Sequence, residues 1–133
     1  MQKKYIGIFN WCIYRNNVKL DKKGCPMKTI MYNKLVRDKI PEIIEMTGKD
    51  CEIDILSDEE YLIMVDAKLD EELAEYHKEK NIEELADLIE VIYAATNARG
   101  YSIEHLEEVR KQKADKRGGF KKKILLKSVV EKE

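Results

Sequence analysis

Cysteine is scarce in this chain and wrongly spaced for structural chemistry. Only three occur among the 133 residues, Cys12, Cys25 and Cys51, with no CxxC pair. An odd, scattered set excludes a disulfide framework or a structural zinc site, and a reducing cytoplasm is the expected compartment. Long apolar runs are also missing: nothing approaches the roughly 18 to 20 residues that span a bilayer, so a soluble chain without membrane partners is expected. Neither sign of charge is in excess, because 25 basic residues face 26 acidic ones. Without a net field, nucleic acid is not an expected partner. The densest basic stretch, Lys111 to Lys123, carries a single aromatic, Phe120, which is a poor platform for stacked bases. No segment has the alternating oxygen ligands around a central glycine that an EF-hand requires.

What remains is one domain's worth of chain with one core. The first segment, 1–30, reads as an N-terminal extension. Within it Tyr5 to Tyr14 follows two lysines and is fairly apolar, yet Asn10 interrupts it and no small-residue cleavage site follows. An appended strand or a loose arm is expected there in place of a signal peptide. Met27 or Met31 as the true start is the other reading. The domain proper is expected over residues 31–127, with a tail at 128–133.

From Tyr32 onward the punctuation is helical. Pro41 can occupy the first turn of a short helix, Glu42 to Thr47, that Gly48 ends. Cys51 to Leu56 alternates enough for a short extended stretch. Ser57 and Glu60 have capping-box spacing and open a helix to about Glu79, with Leu62, Val65, Leu69, Leu73 and Tyr76 as one apolar stripe. Asn81 caps a helix over Ile82 to Ala98, with Gly100 beyond its end. Ser102 caps a third long helix, Ile103 to about Lys116, which Gly118 and Gly119 break. Phe120 to Val130 reads as a basic and apolar tail. Three long helices and one short one predict an all-α helical bundle. The middle helix is apolar on nearly every side, which predicts burial of part of it against another copy, as a homodimer or higher homo-oligomer.

The chemistry lies in two acidic motifs, Glu72-Leu-Ala-Glu75 and Glu84-Leu-Ala-Asp87. Residues three apart on a helix share a face, so each motif presents a carboxylate pair. The eight residues Tyr76 to Glu83 between them leave room only for a hairpin, which apposes the pairs. Carboxylates so apposed repel unless a cation neutralises them, and hard divalent ions with oxygen ligands do this best. Magnesium is the expected ion, with manganese as a substitute. Either motif alone is the ordinary pattern of a solvated helix face. Asp87 is different, because a charge inside so apolar a helix calls for a partner.

Three segments together resemble a known family. ExxE followed by ExxD, the stretch Tyr32-Asn-Lys-Leu-Val-Arg-Asp-Lys-Ile-Pro41, and Lys113-Ala-Asp-Lys-Arg-Gly-Gly-Phe120 are similar to the MazG-like all-α nucleoside triphosphate pyrophosphohydrolases, relatives of phosphoribosyl-ATP pyrophosphohydrolase. The likeness runs from about Tyr32 to Leu126. It implies an enzyme that hydrolyses a nucleoside triphosphate to the monophosphate and pyrophosphate, in a house-cleaning role against non-canonical nucleotides. In that scheme Glu72, Glu75, Glu84 and Asp87 hold Mg²⁺, and Glu71 or Glu75 takes a proton from the attacking water. Lys34, Arg37, Lys113 and Arg117 would bind phosphate, with the two arginines best suited to a two-point grip. The gap between the acidic motifs is shorter than the family's usual one, and Glu71, Glu79 and Glu90 are the alternative ligands. A non-catalytic helical interaction or regulatory module is the competing reading. His77 and His105 read as surface residues, and Phe120 as a core residue before a base-stacking one.

Overall fold

The structure is a computed structural model. It describes residues 14–15, 18–19 and 21–131. The expectations for Tyr5 to Tyr14 and for Cys12 lie outside the described residues, apart from Tyr14. There, β1 (Tyr14–Arg15) and β2 (Val18–Lys19) form a two-residue antiparallel ladder, Tyr14 opposite Lys19. Everything else that is regular among the described residues is helical: α1 (Ile40–Met46), α2 (Asp58–Glu79), α3 (Ile82–Ala98) and α4 (Ile103–Arg117). The fold is all-α, as expected.

Each long helix begins where a side chain can satisfy its first free N–H groups. Ser57 Oγ accepts from the Glu60 N–H at 3.3 Å, while the Ser57 N–H and hydroxyl donate to Glu60 Oε2 at 3.0 and 2.9 Å, a reciprocal capping box. Asn81 Oδ1 accepts from the Glu84 N–H at 2.9 Å, and Ser102 Oγ from the His105 N–H at 3.1 Å. α1 begins two residues earlier than predicted, with Pro41 in its first turn. Cys51 to Leu56 and Phe120 to Val130 form no strand. Among the described residues neither stretch pairs with a strand, and an isolated extended segment leaves its backbone groups to water.

Two residues join α2 to α3. Lys80 takes the left-handed conformation, φ 52°, and its N–H donates to the Tyr76 carbonyl at 2.8 Å. The chain then reverses through extended Asn81. At the other end of the hairpin Arg99 donates to both carboxylate oxygens of Asp66, at 3.0 and 2.9 Å. A pair this exposed contributes at most about 1 kcal/mol, but it places the end of α3 beside the first half of α2. The helices are therefore antiparallel along their length, and α4 packs against α3.

The core lies in the α2–α3 seam and is thin. Among the described residues Val65, Val91 and Ala95 are the buried apolar side chains. Leu73, expected on the buried stripe, is 41% exposed, and Ile82, Leu85 and Ile89 of α3 also reach solvent. Two helices and a fraction of a third cannot cover α3 on every side. Phe120 is 97% exposed in the tail instead of packed in the core. Among the described residues no helix is long and apolar enough to cross a membrane.

Candidate acidic site on the helical hairpin

The acidic motifs meet near the closed end of the hairpin. Glu72 lies eight positions before Lys80 and Asp87 seven after it, so the antiparallel turn brings them level. Glu84 sits three residues nearer the turn than Asp87, on the adjoining face. Glu72, Glu84 and Asp87 each offer a carboxylate oxygen, all within 4.8 Å of one another. The short gap between the motifs thus does not prevent Glu72 and Glu84 from meeting.

Cations from two other parts of the chain close on this cluster. Lys34 Nζ donates to Glu71 Oε1 at 3.0 Å, and Arg37 Nη2 donates to Asp87 Oδ1. The stretch from Tyr32 to Lys39 is thereby laid over the hairpin before α1 begins. Lys68, one turn back on α2, donates to Glu71 Oε1 at 3.0 Å and pairs with Glu72 Oε1 at 2.7 Å. The Lys68 and Glu72 side chains are only 15% and 12% exposed, so this is the driest ion pair of the site. Lys68 was not among the residues singled out from sequence. Its signal was present, since it stands three and four residues before Glu71 and Glu72.

The pKa shifts follow this arrangement. Desolvation, then the charges of Asp87, Glu75, Glu72 and Glu79, raise the Glu84 carboxyl above its ordinary value. For Glu71, partial burial works upward but is outweighed by hydrogen bonds from Lys68 and Lys34, and the carboxyl is lowered. Partial burial would lower the Lys68 ammonium; its bonds to Glu72 and Glu71 outweigh that and raise it. Glu84 thus carries its negative charge in unfavourable surroundings.

The Asp87 charge within an apolar helix calls for a partner; that partner is Arg37, and the Asp87 side chain is 41% exposed. Asp87 lies at the edge of the seam, on the side where the Tyr32 to Pro41 segment arrives, and this protects it less than a helix on each side would. Glu75 is exposed and stands outside the close trio, near enough for its charge to act on Glu84. Glu79 pairs with Lys78 at 3.4 Å, and Glu90 lines a separate cavity. Lys113 and Arg117 of α4 make no ion pair among the described residues. His77 is exposed, and His105 Nδ1 lies 3.6 Å from Glu108 on the surface of α4, as their sequence reading expected.

The trio fits a hard divalent ion. Oxygen ligands about 2.1 Å from magnesium lie at most about 4.2 Å apart, so modest rotation of side chains already within 4.8 Å would converge them. The donors are all carboxylate oxygens, the type that suits magnesium or manganese and not a soft ion.

No family model matches the chain, and no solved structure matches it. A stretch of 41 residues, 31% of this chain, is 58% identical to an uncharacterized protein of Mycolicibacterium smegmatis. The matched stretch spans 42% of that relative's length.

Proposed function

We propose that this protein is a divalent-cation-dependent nucleoside triphosphate pyrophosphohydrolase of the MazG-like kind, active as a homo-oligomer. The observation that carries this reading is the meeting of Glu72, Glu84 and Asp87 within 4.8 Å, beside two cations, Lys34 and Arg37, that come from a distant segment. Carboxylates alone would make a solvated face. Carboxylates paired with exposed cations can exchange partners with a metal-bound polyphosphate.

Glu72, Glu84 and Asp87 would hold Mg²⁺, or Mn²⁺ in its place. Bound there, the ion would supply neutralisation of phosphate charge and acidification of a water. Arg37 and Lys34, released from Asp87 and Glu71, would turn to the phosphate oxygens, Arg37 with a planar two-point grip. Water attacks phosphorus, the phosphoanhydride P–O bond breaks, and nucleoside monophosphate and pyrophosphate leave. The proton of that water needs an acceptor. Glu71 is held by two lysines and lowered in pKa, so it serves better to anchor Lys68 when Lys34 turns to phosphate. Glu75, at the rim and outside the trio, is the better base.

Pyrophosphate release from a panel of standard and modified nucleoside triphosphates with Mg²⁺ tests the reading, with wild type beside Glu75→Gln and Asp87→Asn. Release that is lost in both folded variants is expected. Equal release from the variants would sink it.

One observation favours a second reading, a non-catalytic helical interaction module. Glu71, Glu72 and Asp87 already have ammonium or guanidinium partners, so the cluster needs little further charge to be stable. Such a module would show no Mg²⁺-dependent rise in melting temperature.

A further inference from the structure

Along the hairpin from the acidic cluster lies a cavity of about 600 Å³, lined by Asp58, Tyr61, Glu90, Tyr93, Asn97 and the small alanines beside them. We propose that this cavity receives the base of the nucleotide and selects bases that carry an exocyclic amino group. The inference rests on the hydrolase reading for its nucleotide, and on the cavity for its selectivity.

Position comes first. On α2 the residues Tyr61, Val65, Lys68 and Glu72 advance by four, three and four, so Tyr61 shares a face with the cluster's Glu72. On α3 Asp87, Glu90, Ala94 and Asn97 advance by three, four and three, which carries one strip from the cluster into the cavity. Both strips border the same side of the antiparallel pair. From Asp87 to Ala94 is about 10 Å along the axis and from Glu72 to Tyr61 about 16 Å, at about 1.5 Å per residue. That offset is comparable with the length of an extended nucleoside triphosphate, and the cavity is open, with Asp58, Glu90 and Asn97 exposed at its edge.

Charge then sets the direction. Asp58 and Glu90 would repel phosphate, whereas Lys34 and Arg37 at the other end of the strip attract it. The uncharged end of the ligand must therefore enter the cavity. Tyr61 and Tyr93 offer aromatic surface for a planar base. Ionised carboxylates only accept hydrogen bonds, so Asp58 and Glu90 reward an amino N–H and oppose a carbonyl oxygen presented in the same place. Asn97 can satisfy either and fixes orientation without deciding between them. Cytosine, adenine and guanine carry such an amino group and suit this lining better than uracil and hypoxanthine, which lack it.

The test compares kcat/KM for pyrophosphate release between CTP and UTP and between GTP and ITP. It is paired with ligand-observed NMR of cytidine against uridine and guanosine against inosine on the full chain without metal. The amino member of each pair is expected to be better by about fivefold, the worth of one solvent-exposed hydrogen bond. Asp58→Asn and Glu90→Gln are each expected to bring the ratio toward one. Equal kcat/KM within both pairs overturns the base assignment and leaves the hydrolase standing. Absence of release from every nucleotide fails the hydrolase, and the nucleoside spectra then decide the cavity alone: preference for the amino nucleosides supports its selectivity, and equal or absent binding overturns it.

Discussion

Arg37 and Asp87, fifty positions apart in the chain, pair side chain to side chain, with the guanidinium Nη2 donating to the carboxylate Oδ1. Both side chains are partly exposed, at 57% and 41%. The guanidinium therefore occupies a carboxylate that the proposed metal would need, without being locked onto it. A weak, exposed pair of this kind is suited to exchange.

Removing Arg37 should therefore affect metal and nucleotide in opposite directions. In Arg37→Ala the carboxylate is free, and Mn²⁺ measured by calorimetry without nucleotide is expected to bind up to about fivefold more tightly, the worth of an exposed ion pair. The KM for nucleotide is expected to rise about tenfold or more, for the loss of a charge-assisted bond to phosphate. Weaker Mn²⁺ binding in the variant would contradict the exchange.

The cluster should trade stability for metal binding at Glu84. Desolvation and four neighbouring carboxylates make its charge unfavourable in the folded chain. In EDTA, Glu84→Gln is therefore expected to melt above wild type. Saturating Mg²⁺ is expected to raise wild type by about 2.7 kcal/mol at a hundredfold excess over Kd, and to leave the variant nearly unmoved. Melts followed by circular dichroism at several Mg²⁺ concentrations read both effects.

The capping box at the start of α2 gives a pH signature. The backbone and then the hydroxyl of Ser57 bond to the Glu60 carboxylate and lower its pKa in the folded state. A lowered folded value means a stabilising contribution that is complete above the ordinary carboxylate pKa and is lost as pH falls through the lowered one. Glu60→Gln should therefore melt below wild type at neutral pH and converge with it in acid. Ser57→Ala removes the cap acceptor and should cost about 1 kcal/mol in urea unfolding.

The outer face of α3 should bury itself in a second copy. Ile82 is 72% exposed, Ile89 48% and Leu85 37%, and their spacing places all three on the face away from α2. Sedimentation equilibrium is expected to give a multiple of the 15.6 kDa chain mass. Ile89→Glu should weaken that association by about tenfold or more. A wild-type monomer at high concentration would remove the homo-oligomer from the proposal.

The helices are legible in the sequence. Ser57, Asn81 and Ser102 each have a side-chain oxygen that can reach back to a free N–H, and each cap stands where a helix begins. The hairpin was also legible, because eight residues between two helical motifs allow no other path. Local chemistry is enough for both, since caps and tight turns depend on neighbours in sequence.

Partners distant in sequence were not. That Arg37 meets Asp87, that Lys34 meets Glu71, and that Glu75 stands aside while Glu72 joins the trio depend on how the Tyr32 to Pro41 segment crosses the hairpin. They also depend on the rotation of each helix about its axis. Within one chain Ile82, Leu85 and Ile89 of α3 stay exposed, because an apolar residue is buried only when the tertiary structure supplies something to cover it. By itself the sequence determined which carboxylates and which cations were available, and on which helices. Only the tertiary structure decided which of them share a few ångströms of space, because electrostatic pairing depends on distance through space, and distance along the chain does not set it.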